Sequence, residues 1–443
     1  MSTVKVFTKN EKGCVKPMNC VVGGPLTRAK TEHPEMVMDG FTLYKNLEIP
    51  MARNHDASAT PKYGAPHLVD VHMIFPDFDA DENDPANYDF HYTDEHTMET
   101  DAAGTATFYR LGPSIEHGSK KYGTLPPKDF NKWARICEHI IAHLNYGWGG
   151  GHHLNVEYWE IWSEPDLDED DAPTKRCWGG TKAQYFELYE ITSKHLKAKF
   201  PELKIGGPAL AWRTGQWTDD YLDFVKERNC PLDFFSWHCY ASDPQKLYDD
   251  AVMLREKLDK RGFTETLSIC DEYNYVKDWT ENWDYSLETI AGKKGAAYAA
   301  AVMAHCYDVL DILMYYDCRP RTLMNGIYNA YLKLQPTYST FLMYRNLRRL
   351  GICVETITDD KDIYAVAAKG ENGTAAMISY FTEQNEKGQT KEVTVNYEGV
   401  SGNITIYGIG EDCLLKPYPF KTKGDNFTIE LAPNTVIFAE VKY

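Results

Sequence analysis

Two short runs carry carboxylates in a setting where carboxylates do chemistry. The first is Tyr158-Trp159-Glu160-Ile161-Trp162-Ser163-Glu164-Pro165, an aromatic, strand-like segment that stops at a glutamate followed by proline. The second begins at Leu267 and reads Leu267-Ser268-Ile269-Cys270-Asp271-Glu272-Tyr273-Asn274. Each would deliver a glutamate at the C-terminal end of a buried strand. Two carboxyl groups so delivered can cleave a glycosidic bond. One protonates the leaving oxygen, and the other attacks the anomeric carbon or activates a water. The acid must hold its proton near neutral pH, which apolar surroundings favour; Trp159, Trp162 and Pro165 would desolvate Glu164. A tyrosine hydroxyl next to Glu272 would hold that carboxylate ionised. Glu160 is the rival acid. Alternation sets it on the face of Glu164 but deeper, where it would pair with Arg53 or Arg110.

The elements around these runs predict how they meet. Strand candidates are 19–23, 47–53, 105–111, 156–162, 204–209, 234–240, 266–271 and 311–317. Amphipathic stretches at 130–146, 182–200, 219–228, 245–260, 292–310 and 337–350 lie among and after them. This alternation predicts an α/β fold, a (β/α)8 TIM barrel. From Gly351 onward short β runs (355–364, 375–381, 392–397, 404–408, 435–441) are separated by Gly, Asn, Asp and Lys clusters, predicting a C-terminal antiparallel β-sandwich. The expected domains are a catalytic barrel over 16–350 and an accessory sandwich over 351–443, joined by a strand from 1–15. On this count Glu164 ends the fourth strand and Glu272 the seventh, facing each other across the barrel mouth. Carboxyl groups about 5–5.5 Å apart would make the reaction retaining, with Glu272 as nucleophile.

Composition narrows the partners. A net charge of −18 disfavours nucleic acid and anionic membrane surfaces and suits a neutral glycoside. No run of about 18 apolar residues predicts a membrane span. The eleven cysteines are dispersed without CxxC pairs and read as reduced thiols. With no signal-like N-terminus, a cytoplasmic location is expected, although a removed signal would leave the same sequence.

Several motifs together resemble a known family. Trp162-Ser163-Glu164-Pro165 resembles the Trp-Asn-Glu-Pro acid/base motif of clan A glycoside hydrolases, and Asp271-Glu272-Tyr273-Asn274 their strand-seven nucleophile segment. Gly23-Gly24-Pro25, Ala52-Arg53-Asn54-His55-Asp56, Tyr109-Arg110-Leu111-Gly112, Phe235-Ser236-Trp237-His238-Cys239-Tyr240 and Tyr315-Tyr316-Asp317 are similar to family 39, that of β-xylosidases and α-L-iduronidases. The resemblance runs from about Gly23 to Leu350. It implies a retaining, cofactor-free β-glycosidase of β-xylosidase type, with Glu164 as acid/base and Glu272 as nucleophile. It further implies that His55, His238 and Tyr240 contact the sugar in the −1 subsite, that Arg53 holds Glu272 ionised, and that Trp279 stacks on a sugar ring. Homo-oligomers are common in the family.

One departure matters. The motif's asparagine, which donates to the sugar 2-hydroxyl, is Ser163 here. The substrate would then differ at C2 or be a uronide, a water would replace the amide, or activity would be weak, as in a protein that only binds carbohydrate.

Two further features bear on the site. The segment from Asp56 to Gly104 follows the second strand and is expected to wall the mouth, favouring exo action. Its Asp77, Asp79 and Asp81 have EF-hand-like spacing, but Glu82 and Tyr88 stand where the loop needs glycine and glutamate. No metal site is expected: His152-His153 lacks helical ligand spacing. Gly149–Gly151 reads as a turn, not a phosphate loop.

Overall fold

The computed structural model describes residues 2–25, 40–55, 69–320, 322–383, 389–423 and 426–443. Asp56 and the stretch to residue 68 lie outside the described residues. After strand β1 (Ser2–Cys14), eight parallel strands close a barrel in chain order. They are β2 (Cys20–Val22), β3 (Met51–Arg53), β4 (Ala106–Leu111), β5 (Tyr158–Ile161), β6 (Lys204–Leu210), β7 (Phe234–Ala241), β8 (Leu267–Tyr275) and β9 (Ile312–Tyr315). All eight expected strands are present. Helix Phe130–Tyr146 has the expected bounds; Asp129 accepts hydrogen bonds from the backbone N–H of Asn131 and Lys132 at its start, and Gly147, at φ 76°, ends it.

Period-two alternation fills the barrel in layers. Phe108, Tyr158, Phe234, Ile269 and Ile312 form an apolar floor. One step up each strand the inward positions turn polar: Arg53, Arg110, Glu160, Ser236 and Asp271, all buried. The apolar floor excludes water from beneath this layer, so its charges must pair with one another.

The segment before β4 departs from expectation. Its helix His91–Ala102 is the barrel helix between the second and third strands. The acidic stretch lies against helix Phe130–Tyr146 instead of over the mouth: Asp79 pairs with Lys128 (2.8 Å), and Glu82 with Arg135 (2.7 Å). Asp81 and Asp84 accept from local amides, so these carboxylates serve protein donors.

The C-terminal strands are β10 (Ile352–Thr358), β11 (Ile363–Gly370), β12 (Gly373–Tyr380), β13 (Lys391–Glu398), β14 (Asn403–Ile409), β15 (Leu415–Pro417), β16 (Lys421–Lys423), β17 (Asn426–Leu431) and β18 (Thr435–Lys442). The expected strand 355–364 is a hairpin, β10 and β11, because its Asp-Asp-Lys stretch turns. With β1 they form one hydrogen-bonded sheet in the order β15-β14-β18-β12-β11-β10-β1-β13-β17-β16. All its pairs are antiparallel except β1 with β13. The sheet folds over itself: Tyr397 on β13 donates to the Ala439 carbonyl on β18 (2.7 Å), although four strands separate the two in sheet order. It is thus sandwich-like. Every residue of β12 is buried: one face meets the sandwich core and the other the barrel's last helices, where Ser379 Oγ donates to the Ala297 carbonyl (2.9 Å).

Among the described residues no helix is long and apolar enough to cross a membrane. None of the eleven cysteines is paired.

Candidate active site

At the C-terminal mouth lies a cavity of about 530 Å³. Its lining includes Glu164, Glu272, His55, Ser163, His238, Tyr240 and Trp279. No described residue between Val69 and Gly104 lines it, so that part of the segment does not wall the mouth.

Glu164 reaches the cavity by a strained turn. β5 ends at Ile161, and Trp162 and Glu164 both take left-handed backbone, at φ 78° and 49°. Such residues cost about 1–3 kcal/mol each and persist only where neighbours fix them. Here Trp162 N–H donates to the Leu111 carbonyl (2.7 Å) and Glu164 N–H to that of Ala209 (2.9 Å). The two tryptophans do not surround the carboxylate as expected. Trp159 faces outward and stacks on Tyr109, and Trp162 packs on Trp133 and Trp178. The carboxylate meets His238 Nδ1 (2.9 Å) and accepts from the Cys177 thiol (3.6 Å).

Glu272 owes its direction to a bulge. Trp237 pairs with Cys270 but His238 pairs with Glu272, so β8 carries one extra residue, Asp271. Neighbours on a regular strand point to opposite faces. The extra residue lets Asp271 and Glu272 both face Arg53, at 3.0 and 2.8 Å. Tyr273, the expected hydroxyl partner, faces Tyr315; Tyr240 donates to Glu272 instead (2.6 Å).

Arg53 is fully buried and absent from the cavity lining. Its guanidinium donates to Glu160 (2.8 Å), Glu272 (2.8 Å) and Ser163 Oγ (2.9 Å). It therefore holds carboxylates from below and does not touch what fills the cavity. Glu160 is the interior partner of Arg53, accepting also from Ser236 (2.6 Å).

Charges around Glu272 decide its protonation. Burial pushes its carboxyl up, but His238, His55, Arg53 and the Tyr240 hydroxyl outweigh that and hold it at about 2. Burial pushes Asp271 well above the carboxylate range, reinforced by Glu160 and opposed by Arg53 and His238. Burial opposes a charge on His238, yet Glu272, Asp271 and Glu164 raise it to about 9. An imidazolium thus lies between two glutamates, 2.9 Å from one and 3.4 Å from the other.

A stability signature follows. The unfolded imidazole titrates near 6.5 and the folded one near 9, so its contribution is complete below 6.5 and lost as pH rises through 9. Linkage sets that contribution on the order of 3 kcal/mol. Thermal melts should show an apparent Tm falling across this window, and His238→Gln should remove most of the slope. Equal slopes in both proteins would show that His238 does not carry the charge.

Sequence reasoning missed Trp212, Cys177 and Arg176, which also line the cavity. Trp212 follows β6 and is 59% exposed; Trp279 is 55% exposed, its ring edge-on to Tyr240. An aromatic just past a strand end was a readable signal for Trp212. Cys177 gave none, since it arrives on a loop.

The family description "Glycosyl hydrolases family 39" matches residues 104–325, just over half of this chain. A β-xylosidase of Geobacillus stearothermophilus is 30% identical over 301 residues, 62% of this chain and 56% of that protein. A β-xylosidase of Caldicellulosiruptor saccharolyticus is 30% identical over 325 residues, 69% of this chain and 63% of that protein. The chain spans less than two thirds of either relative's length. A solved glucosidase from Croceicoccus marinus shares the fold, with TM-score 0.78 at 20% identity over 100% of this chain and 99% of that one. With the family match lying over the strands that deliver Glu164 and Glu272, the chain belongs to family 39 of the glycosyl hydrolases.

Proposed function

We propose that this chain is a retaining β-glycosidase of β-xylosidase type, with Glu272 as nucleophile and Glu164 as acid/base. One observation carries the reading: an oxygen of each glutamate lies within 4.8 Å of the other across the mouth. So close an approach suits attack by the carboxylate itself, the arrangement of retaining enzymes, whose carboxyls stand ~5–5.5 Å apart. The relatives' names, β-xylosidase in both cases, favour the xyloside class.

In the first step Glu272, ionised by its cationic neighbours, attacks the anomeric carbon while Glu164 gives its proton to the leaving oxygen. In the second, Glu164 takes a proton from water, which releases the sugar from Glu272. His238 bridges both carboxylates. As Glu272 loses its negative charge to the covalent bond, the imidazolium's attraction passes to Glu164, which is then to act as a base. His55 (Nε2 3.6 Å from Glu272) and Tyr240 border the reacting sugar, and Trp279 offers a stacking face at the rim. Exo action now rests on the family resemblance alone. We divide the chain into a catalytic barrel, 16–350, and an accessory sheet, 351–443, completed by the strand from 1–15.

The uronide reading loses ground here. Three arginines line the cavity, and each is already paired: Arg176 with Asp168 (2.7 Å), Arg213 with Asp250 (2.6 Å) and Arg110 with Asp70 (2.5 Å). The test is a panel of aryl glycosides (β-xyloside, β-glucoside, β-galactoside, α-L-arabinoside, β-glucuronide, α-L-iduronide). Turnover of the β-xyloside is expected. Silence across the panel from folded protein would favour a chain that only binds.

Ser163 should act on selectivity. Its hydroxyl accepts from Arg53 and borders the cavity, leaving room an asparagine would fill. Ser163→Asn is expected to change kcat/KM on unsubstituted and C2-modified xylosides in opposite directions, by about 10-fold or more in ratio. Equal changes on both would sink the idea that Ser163 makes room at C2.

A further inference from the structure

Outside the cavity, three metal-ligating side chains converge on the barrel's outer layer. Asp94 lies in the first turn of helix His91–Ala102, and His143 in the last turn of helix Phe130–Tyr146. His152 follows the turn Trp148–Gly150. The chain doubles back tightly to bring His152 there. His152 N–H donates to the His143 carbonyl (2.6 Å), and a Cβ on Gly151 would stand 2.0 Å from that same oxygen. Only glycine permits this approach.

The arrangement of the donor atoms is the telling feature. His143 Nδ1 lies 2.8 Å from the Trp148 carbonyl, which can only accept, so Nδ1 carries the hydrogen. The ring's other nitrogen, Nε2, faces Asp94 Oδ1, 3.0 Å away. His152 Nε2 repeats the situation. It is buried, 3.2 Å from Asp94 Oδ2, and makes no hydrogen bond. All three donor atoms lie within 4.8 Å of one another. Two imidazole nitrogens and a carboxylate so convergent are a donor set that suits a metal cation.

The geometry points to a binding site for a divalent transition-metal ion of zinc type, held by Asp94, His143 and His152. In a tetrahedral zinc site with bonds near 2.0–2.1 Å the ligand atoms stand about 3.3 Å apart; here each imidazole faces its own Asp94 oxygen, at 3.0 and 3.2 Å, and one donor atom from each residue lies within 4.8 Å of the others, so small side-chain rotations would close the site. Two imidazoles select zinc-like ions over calcium and magnesium, which prefer oxygen. The Nδ1–H to carbonyl contact is the outer support that orients a ligating histidine, and Phe90 lies face-to-face on the same ring (3.5 Å, 3°). Asp94 and His152 are about a quarter exposed, at 24% and 25%, which leaves an entry path and room for a water as fourth ligand. None of the three lines the active-site cavity, so the ion would pin two helices and a turn, with no part in glycoside cleavage.

The test uses the whole chain. Protein incubated with zinc chloride and passed through a desalting column is assayed for bound metal by mass spectrometry. Cobalt chloride is used in parallel, read by the visible absorption of a tetrahedral site. Wild type should retain about one equivalent and gain a few degrees in Tm. His152→Ala and Asp94→Asn, checked for fold by circular dichroism and for unchanged glycosidase activity, should lose both. The partly exposed His152 makes the first variant the milder one. No retained zinc in wild type, with an imidazolium at His143 balancing Asp94 instead, would overturn the proposal. So would full retention in both variants.

Discussion

Glu272→Gln will leave the protein folded and lower kcat on an aryl β-xyloside by at least about 10⁴-fold, the scale of losing a covalent nucleophile. Glutamine matches glutamate in shape, so Tyr240 and Arg53 keep most of their contacts while the attacking charge disappears. The loss should fall on kcat more than on KM, because the amide still borders the sugar. Some stability should be lost as well, because a carboxyl held at about 2 in the fold contributes on the order of 3 kcal/mol at neutral pH, so fold is checked by circular dichroism. Glu164→Ala offers the matching contrast. Substrates whose leaving group needs no proton should be affected least in the first step, and added azide should speed the second, as it attacks without base help. A Glu272→Gln protein that keeps even a tenth of wild-type kcat would remove Glu272 from the mechanism.

The second large effect concerns a residue that touches no substrate. Arg53→Met should lower stability by about 3–5 kcal/mol, the usual result of stripping a buried charge cluster of one partner. Glu160 and Glu272 would lose their nearest cation, with no water beneath them to compensate. The apparent Tm should drop by several degrees, and activity should fall as well, since Glu272 is no longer held ionised. Arg53→Lys should recover part of the stability and little of the activity, because an ammonium cannot span Glu160, Glu272 and Ser163 at once. Asp271→Asn is the control. Burial pushes the Asp271 carboxyl up while that of Glu272 is held down, so the melt should move less for this amide than for Arg53→Met. A wild-type melt for Arg53→Met would show that the cluster carries no net stabilisation.

Much of this architecture was legible because it rests on periodicity. Eight β-rich runs separated by amphipathic helices gave the barrel, and position along it set Glu164 and Glu272 on opposite sides of one mouth. Alternation also foretold that Glu160 would sit deep beside Arg53 or Arg110, and the partner is Arg53. The failures have a common cause: they occur where the chain leaves regular geometry. The strand carrying Glu164 ends three residues before it, and the left-handed turn sends Trp162 outward, so the expected aromatic enclosure is absent. The bulge at Asp271 is one residue long and has no signature in composition. Helix His91–Ala102 lacks an apolar stripe, burying instead Thr93, His96, Thr97 and Thr100, and was invisible to a search for hydrophobic spacing. The cluster of Asp94, His143 and His152 is assembled from two helices and a turn, so no local ligand pattern announced it.

The position of β1 sets a schedule for synthesis. This strand lies in the middle of the sheet, flanked by β10 and β13, whose residues come only after position 351. A ribosome adding about 5–20 residues per second needs on the order of tens of seconds to make those partners. Throughout that interval Val4 and Val6, destined for the sandwich core, remain on a strand with two open edges while the barrel emerges behind them. The nascent chain is therefore exposed to aggregation along β1, and a chaperone that shields this strand should raise the yield of folded protein more than one acting on the barrel.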